Sequence, residues 1–258
     1  MQICLIFIEY YFLFWYNFFM KKTVIIDGKI DEIYEDFFKD RGFNIIKISK
    51  SNNLYEEISS HTDIHMIKIE DEIISEPETY ENSTLKSIVK GNSKISSPYP
   101  NDVLYNVCII GKLAIHNFKY TDLKVLELLN KKEYKKVNVS QGYSNCAIAK
   151  ITDTSCITSD FKIASILREE GIDVLLISRE NEENIKLLKN NLSFSSMHGF
   201  IGGATVKLEN DIILFGDKKY LKEYKKIEDF IKDHGCHLID FKDKDIIDYG
   251  SAVIIKGE

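Results

Sequence analysis

NCAIAKITDTSCITSD (residues 145–160) and GGATVKLENDIILFGD (residues 202–217) read as the same unit, 57 positions apart. Each opens on an alternating apolar strand that ends in Lys-Ile or Lys-Leu and then a polar turn, Thr152-Asp153 or Glu209-Asn210. A second apolar strand follows and closes on Ser159-Asp160 or Gly216-Asp217. Period-two hydrophobicity broken by turn residues is the signature of a β-hairpin. DIHMIKIEDEII (63–74) repeats the pattern with the turn Glu70-Asp71, and NVCIIGKLAI (106–115) repeats it more weakly around Gly111-Lys112. DYGSAVII (248–255) is a last copy cut short by the chain end, which makes five.

Helix-period stretches lie between the hairpins. Residues 30–41 carry Ile30, Tyr34, Phe37 and Phe38 on one face and lead into a strand at 44–48. Residues 120–130 lead into 136–139, residues 161–170 into 172–177, and residues 220–234 into 236–240. Gly171 and Gly235 follow two of these helices, where a left-handed residue stops the helix. A helix, a strand and a hairpin, used about five times, predict an α/β ring that buries its apolar faces against itself. A doubly wound sheet and a pair of domains are the alternatives. Gly202-Gly203 lacks the spacing of a phosphate loop and leads into a strand, and no linker separates the halves.

The bulk composition agrees. Of 258 residues, 44% are hydrophobic and 29% charged, the ordinary range for a globular chain. A net charge of -6 gives no basic stripe for nucleic acid. Lysines interleave with acids, as in KKIEDFIKD (225–233), which reads as a solvated helix face. The cysteines (Cys4, Cys108, Cys146, Cys156, Cys236) show neither CxxC nor zinc spacing, so reduced thiols and a cytoplasmic location are expected. Residues 1–19, MQICLIFIEYYFLFWYNFF, have three readings: a membrane anchor, a signal peptide, or sequence upstream of a true start at Met20. A signal peptide is opposed by Glu9 inside the apolar run and by the lack of a basic n-region or small-residue cleavage site, and the third is preferred because MKKTVIIDGKI (20–30) reads as a normal bacterial N-terminus. A single domain over 20–258 is the expectation.

Several segments resemble the guanidino-modifying-enzyme (pentein) superfamily, and most closely an uncharacterised bacterial family assigned that fold. They are Ser60-His61-Thr62-Asp63, Tyr99-Pro100 with Tyr105-Asn106, Gln141-Gly142-Tyr143-Ser144-Asn145-Cys146, Ile157-Thr158-Ser159-Asp160 and Gly199-Phe200-Ile201-Gly202-Gly203-Ala204. The resemblance spans roughly residues 22–255 and implies a five-unit pentein-like β/α propeller with pseudo-fivefold symmetry. It places Asp63, Asn106, Asn145 and Gly202, with Asp248 or Gly250, at equivalent strand starts around a central polar site.

Enzymes of that superfamily use a Cys nucleophile, a His acid/base and carboxylates that grip a guanidinium, for which a carboxylate pair is the bidentate match. His61-Thr62-Asp63 resembles their His-x-Asp element. Their nucleophile lies in the last repeat, where this chain has Tyr249-Gly250-Ser251. Cys146 is the substitute candidate, and the competing reading makes it a small buried hydrophobe. Cys108 and Cys156 fall inside strands. His65 alternates with Asp63 and either lines the site or satisfies a core hydrogen bond. A His61/Asp63/His65 metal site lacks a fourth ligand, so no metal or cofactor is expected. His198 could reach the centre from its loop, whereas His116, His234 and His237 look peripheral. Gly202 and Gly203 let the backbone approach a ligand, unless they serve a bulge.

The implied function is a hydrolase or amidinotransferase acting on a guanidino or amide-like small molecule. Cys146 would be nucleophile, His61 acid/base, and Asp63 with Asp248 the grips. The alternative is a non-catalytic member that binds a small molecule or protein. The expected partner is a small-molecule ligand in the central pocket, with no membrane contact unless residues 1–19 are an anchor.

Overall fold

The computed structural model describes residues 22–85, 87–187 and 197–255. Residues 1–19, with their three readings, lie outside the described residues. Among the described residues no helix is long and apolar enough to cross a membrane.

Among the described residues five three-stranded sheets share one topology: an antiparallel hairpin whose second strand also pairs in parallel with a third. They are Met66–Ile69/Glu72–Ser75/Ile88–Lys90, Cys108–Ile110/Leu113–His116/Lys135–Asn138, Ile148–Thr152/Ser155–Thr158/Asp173–Leu176 and Thr205–Leu208/Asp211–Leu214/His237–Ile239. The fifth joins the chain ends, with Val253–Ile255 antiparallel to Thr23–Asp27 and Thr23–Asp27 parallel to Asn44–Ile48. The hairpin that looked truncated in sequence is therefore completed by a strand from the opposite terminus. A small parallel pair, Ile185–Leu187 with Ile246–Asp248, stands apart from this pattern.

A parallel third strand needs a crossover, and helices supply it. Glu76, Asp122 and Asp160 each follow a hairpin and accept backbone N–H bonds at the N-terminus of the helix that starts the crossover. Leu123–Lys131 buries Val125, Leu128 and Leu129, and Phe161–Glu169 buries Ile163, Ala164 and Leu167. Each fully buried Leu, Ile or Val contributes roughly 1.5–3 kcal/mol. The apolar clusters bridge successive sheets. Ile64, Ile74, Val107 and Ala114 pack together, and Cys108, Ile115, Ile148 and Cys156 form the next cluster. Ala149, Ile157, Ile212 and Leu214 follow, then Val206, Ile213, Val24 and Ile26, and finally Ile25, Met66 and Ile73 return to the start.

Two sequence expectations shift locally. The turn after Ile148–Thr152 lies at Asp153-Thr154, one residue later than expected, with a register irregularity at Ser155/Cys156. The other tight turns place their first residue in the left-handed region (Glu70 φ 55, Gly111 φ 54, Glu209 φ 55), which a β-branched Thr152 resists. The expected strand starts at Asp63 and Asn145 are instead helical turns, Thr62–His65 and Ser144–Ala147, that precede the strands. The alternation that put His65 on the face of Asp63 therefore does not apply.

Candidate active site

Hydrogen bonds knit the hairpin entrances into a closed loop. Asp63 N donates to Gly250 O (3.1 Å), and Asn106 Nδ2 donates to Asp63 O (3.2 Å). Asn145 N donates to Asn106 O (3.2 Å), Gly203 N to Cys146 O (3.0 Å), and Ser251 N to Gly203 O (2.8 Å). The helical turns matter here: they bring Asp63 and Cys146 together just before the chain turns into the strands that follow. Asp63, Asn106, Asn145, Cys146, Gly203 and Gly250 thus meet in space.

Cys146 is buried, and its thiol donates to Asp63 Oδ2 at 2.9 Å. Asn106 Nδ2 approaches the sulfur at 3.2 Å, and Asn145 Nδ2 holds the same Asp63 oxygen at 3.0 Å. His61 is also buried; its Nδ1 faces Asp27 Oδ2 at 2.9 Å. His61 Nε2 has no hydrogen-bond partner among the described residues and stands 3.5 Å from Asp248 Oδ1. Asp248 is fixed by N–H donors, Phe200 N to Oδ2 (2.8 Å) and Gly250 N to Oδ1 (2.9 Å).

The charges are arranged unequally. Burial pushes His61 down, but the Asp27 bond and the charges of Asp248, Asp27 and Asp63 win, and its pKa lies above the ordinary 6.5. Asp27 stays below its usual value despite burial, because His61, Ser60 and the Lys29 N–H all favour its ionised form. Burial and the neighbouring Asp63 push Asp248 up, against the pull of His61. Burial, then Asp63 and Asp248, drive the Cys146 thiol well above the usual range. Cys146 is a neutral thiol in the free protein, not a resting thiolate.

His61, Cys146 and Asp248 line a cavity of about 490 Å³. Its walls include Tyr55, Tyr99, Tyr143 and Phe200, with Glu57 and Asp102 as further acids. No Lys or Arg is among the described lining residues. Asp102 Oδ2 accepts from Tyr143 Oη at 2.6 Å, while its Oδ1 is buried without a partner among the described residues. His198 lines the cavity as well.

The remaining candidates separate. His65 takes a structural role, with Nδ1 against Thr79 Oγ1 (2.6 Å) and Nε2 against Ser59 O (2.8 Å); burial holds its pKa down. Among the described residues no group of three His, Cys, Asp or Glu is placed to hold a metal, which removes His61/Asp63/His65 as a ligand set. His116 is buried but does not line the cavity of His61 and Cys146; it is bonded to Thr121 and Gly142 O and pushed down to about 4 by burial. Cys108 and Cys156 are core residues.

Gly202 and Gly203 answer to close packing. A β-carbon at Gly202 would lie 2.5 Å from the carbonyl oxygens of Asn145, Cys146 and Ile148, and one at Gly203 would lie 2.0 Å from Asp248 Oδ1. Gly203→Ala should displace the Asp248 carboxylate and cost roughly 1–3 kcal/mol of stability. Chemical denaturation checks this, and an unchanged midpoint would contradict the packing.

Sequence reasoning missed Asp27, Asp102 and the aromatic wall. Asp27 had one legible signal, a carboxylate ending the otherwise apolar strand Thr23–Asp27. Asp102 had none, since its role comes from Tyr143, 41 residues away.

The family model described as "Family of unknown function (DUF6873)" matches residues 25–253. No curated protein matches the chain by sequence. Among solved structures, the chain is similar to DDAH from Pseudomonas aeruginosa, a cysteine-to-serine mutant complexed with citrulline. The TM-score is 0.54 at 9% identity, covering 86% of this chain and 92% of that one. It is also similar to a C. jejuni agmatine deiminase, a cysteine-to-serine variant with substrate bound. There the TM-score is 0.50 at 10% identity, with coverages of 93% and 95%. The fold is the guanidino-modifying-enzyme (pentein) fold.

Proposed function

The chain belongs to DUF6873, a family of unknown function, and we propose that it is a hydrolase or amidinotransferase that acts on a cationic guanidino or amide-like small molecule. The site would lie at the centre of a five-unit propeller of pseudo-fivefold symmetry, formed by one domain over residues 20–258 in the cytoplasm. One observation carries the reading. Asp63 and Asp248 are buried beside Cys146 and His61, and the cavity that Asp248, Cys146 and His61 line has no Lys or Arg among its described lining residues. Asp27 and His61 balance each other, so the two remaining carboxylates leave the site short of positive charge. A guanidinium supplies it and matches carboxylates bidentately.

The bound cation would also change the nucleophile. A positive charge beside Cys146 stabilises the thiolate and opposes the effect of Asp63 and Asp248. The thiol would then pass its proton to Asp63 Oδ2, the acceptor it already holds, and attack the guanidinium carbon, and an amine would leave with a proton from His61 Nε2. Water, or an acceptor amine in the transferase case, would displace the sulfur with His61 taking the proton back. Asn145 and Asn106 keep Asp63 and the thiol in register. A reading as a non-catalytic binding protein has one observation in its favour, the protonated Cys146 held by Asp63.

The test is a screen of guanidino and amidino compounds for release of ammonia or amine, with Cys146→Ala as the control. Turnover by the wild-type chain that Cys146→Ala abolishes supports the enzyme. Saturable binding of the same cations without product favours the binding protein.

A further inference from the structure

One acid of the main cavity has no part in the chemistry above. Glu57 sits on the short turn Glu56–Ile58, and Ile58 O accepts from His61 N at 3.2 Å, so one stretch of backbone carries both side chains. Glu57 is 6% exposed and lines the cavity of His61, Cys146 and Asp248. Among the described residues no hydrogen-bond donor or cation meets its carboxylate. The nearby lysines are engaged elsewhere, since Lys29 (2.8 Å) and Lys50 (3.8 Å) pair with Glu56. Asp63 Oδ1 and Asp102 Oδ1 are sealed off, whereas the Glu57 oxygens keep accessible surface. A carboxylate largely withdrawn from water and left without a partner is costly until a ligand supplies one.

The second observation is the wall. Tyr99, Tyr143 and Phe200 line the cavity in succession, with ring centroids 5.9 and 6.3 Å apart and planes tilted by 37° and 30°. Tyr143 is held by Asp102, and Tyr99 is 44% exposed, so the row of rings ends at solvent. A cavity of about 490 Å³ takes a whole small molecule, not a guanidinium head alone. A carboxylate on that molecule would meet no Lys or Arg among the described lining residues, and would face Glu57, Asp102 and Asp248.

We propose that Glu57 is a specificity-determining residue that receives a second cationic group of the substrate, joined to the guanidinium by an aromatic arm and unaccompanied by a carboxylate. The inference rests on the guanidinium reading of Asp248, Cys146 and His61. The arm lies along Tyr99, Tyr143 and Phe200, where ring-on-ring contact adds to simple burial. The far ammonium gives Glu57 the charge-assisted bond that it lacks.

Calorimetry with four guanidines tests this on the full chain carrying Cys146→Ala, which blocks turnover. Benzylguanidine has the head and ring alone. Its para-aminomethyl and para-carboxyl derivatives add a charge of either sign, and 6-aminohexylguanidine keeps the ammonium and the span without the ring. The aminomethyl compound should bind at least about tenfold tighter than benzylguanidine, and the carboxyl compound at least about tenfold more weakly. The hexyl compound should bind about threefold to tenfold more weakly than the aminomethyl one. Glu57→Gln should cancel the aminomethyl gain and leave benzylguanidine within about twofold, a selective change that a structural role would not produce. Thermal melts establish that the variant folds. An aminomethyl compound no tighter than benzylguanidine, or a gain that survives in folded Glu57→Gln, would overturn the role of Glu57. A carboxyl compound as tight as the aminomethyl one would overturn the exclusion of carboxylates, and an equally tight hexyl compound would overturn the aromatic arm. Asp248→Asn separates these failures from that of the underlying reading: if benzylguanidine does not bind, or ignores Asp248→Asn, the guanidinium reading and this proposal fall together.

Discussion

Asp248→Asn should weaken binding of a guanidinium ligand by on the order of 10²-fold while leaving the fold nearly intact. Asp248 is buried and bordered by His61, and it lines the cavity where no Lys or Arg is found among the described residues. Burial holds its pKa up, which means that its negative charge disfavours the free folded state. Removing the charge relieves that penalty. The substitution also replaces one acceptor, so that either the Phe200 or the Gly250 N–H loses its partner. These opposing changes should leave net stability within about 1 kcal/mol. Calorimetry with the best cation from the screen, alongside chemical denaturation, reads both. Equal affinity in wild type and variant would remove Asp248 from the site. A large loss of stability would make it a structural residue.

Asp27→Ala should have the opposite profile, a loss of about 3–5 kcal/mol of unfolding free energy. Asp27 is fully buried and accepts from Lys29 N (2.7 Å), Ser60 Oγ (2.6 Å) and His61 Nδ1 (2.9 Å). Truncation leaves those donors without an acceptor and removes the bond that keeps His61 protonated against burial. The pH profile identifies the cause. His61 is raised above 6.5, so its contribution is full below that value and is lost as pH climbs through the higher folded value. Asp27 is lowered below 3.8, so its contribution is present above that value and is lost as pH falls through the folded value. Wild-type stability should therefore carry a plateau between roughly pH 4 and 6.5 from this pair, with a decline on each side that flattens in Asp27→Ala. Denaturant titrations at pH 3, 5.5 and 9 measure it. A loss under about 1 kcal/mol with an unchanged profile would show that the pair contributes nothing to stability.

Much of this architecture was legible because hairpins announce themselves locally. Alternation in Thr205–Leu208 and Asp211–Leu214, with Glu209-Asn210 between them, needs no distant partner to interpret. The pairing of Thr23–Asp27 with Val253–Ile255 was not legible, since it joins opposite ends of the chain. The helical turns at Thr62–His65 and Ser144–Ala147 were also missed, because four residues carry too little periodicity to separate a helical turn from a strand. At the site, Cys146, His61, Asp63 and Asp248 stood out as polar or reactive residues at equivalent places in the repeats. Asp27 was hidden in a strand that is otherwise apolar, and the two readings left open for His65 could not be separated in sequence because its partners Thr79 and Ser59 lie off the strand.

The most direct measurement compares two alkylating agents of nearly equal size on the native protein. Chloroacetamide is neutral, and chloroacetamidine carries the planar cation that the carboxylates would grip. Labelling of Cys146 is followed by peptide mass spectrometry at pH 7. The expected result is slow reaction with the amide, because the thiol is buried and protonated, and labelling by the amidine faster by about 10² or more, because its charge is drawn to Asp63 and Asp248 and stabilises the thiolate. Asp248→Asn should erase most of that difference. Equal rates for the two agents, or no labelling of Cys146 by either without denaturant, would contradict an acid-lined site built to bring a cation to this thiol.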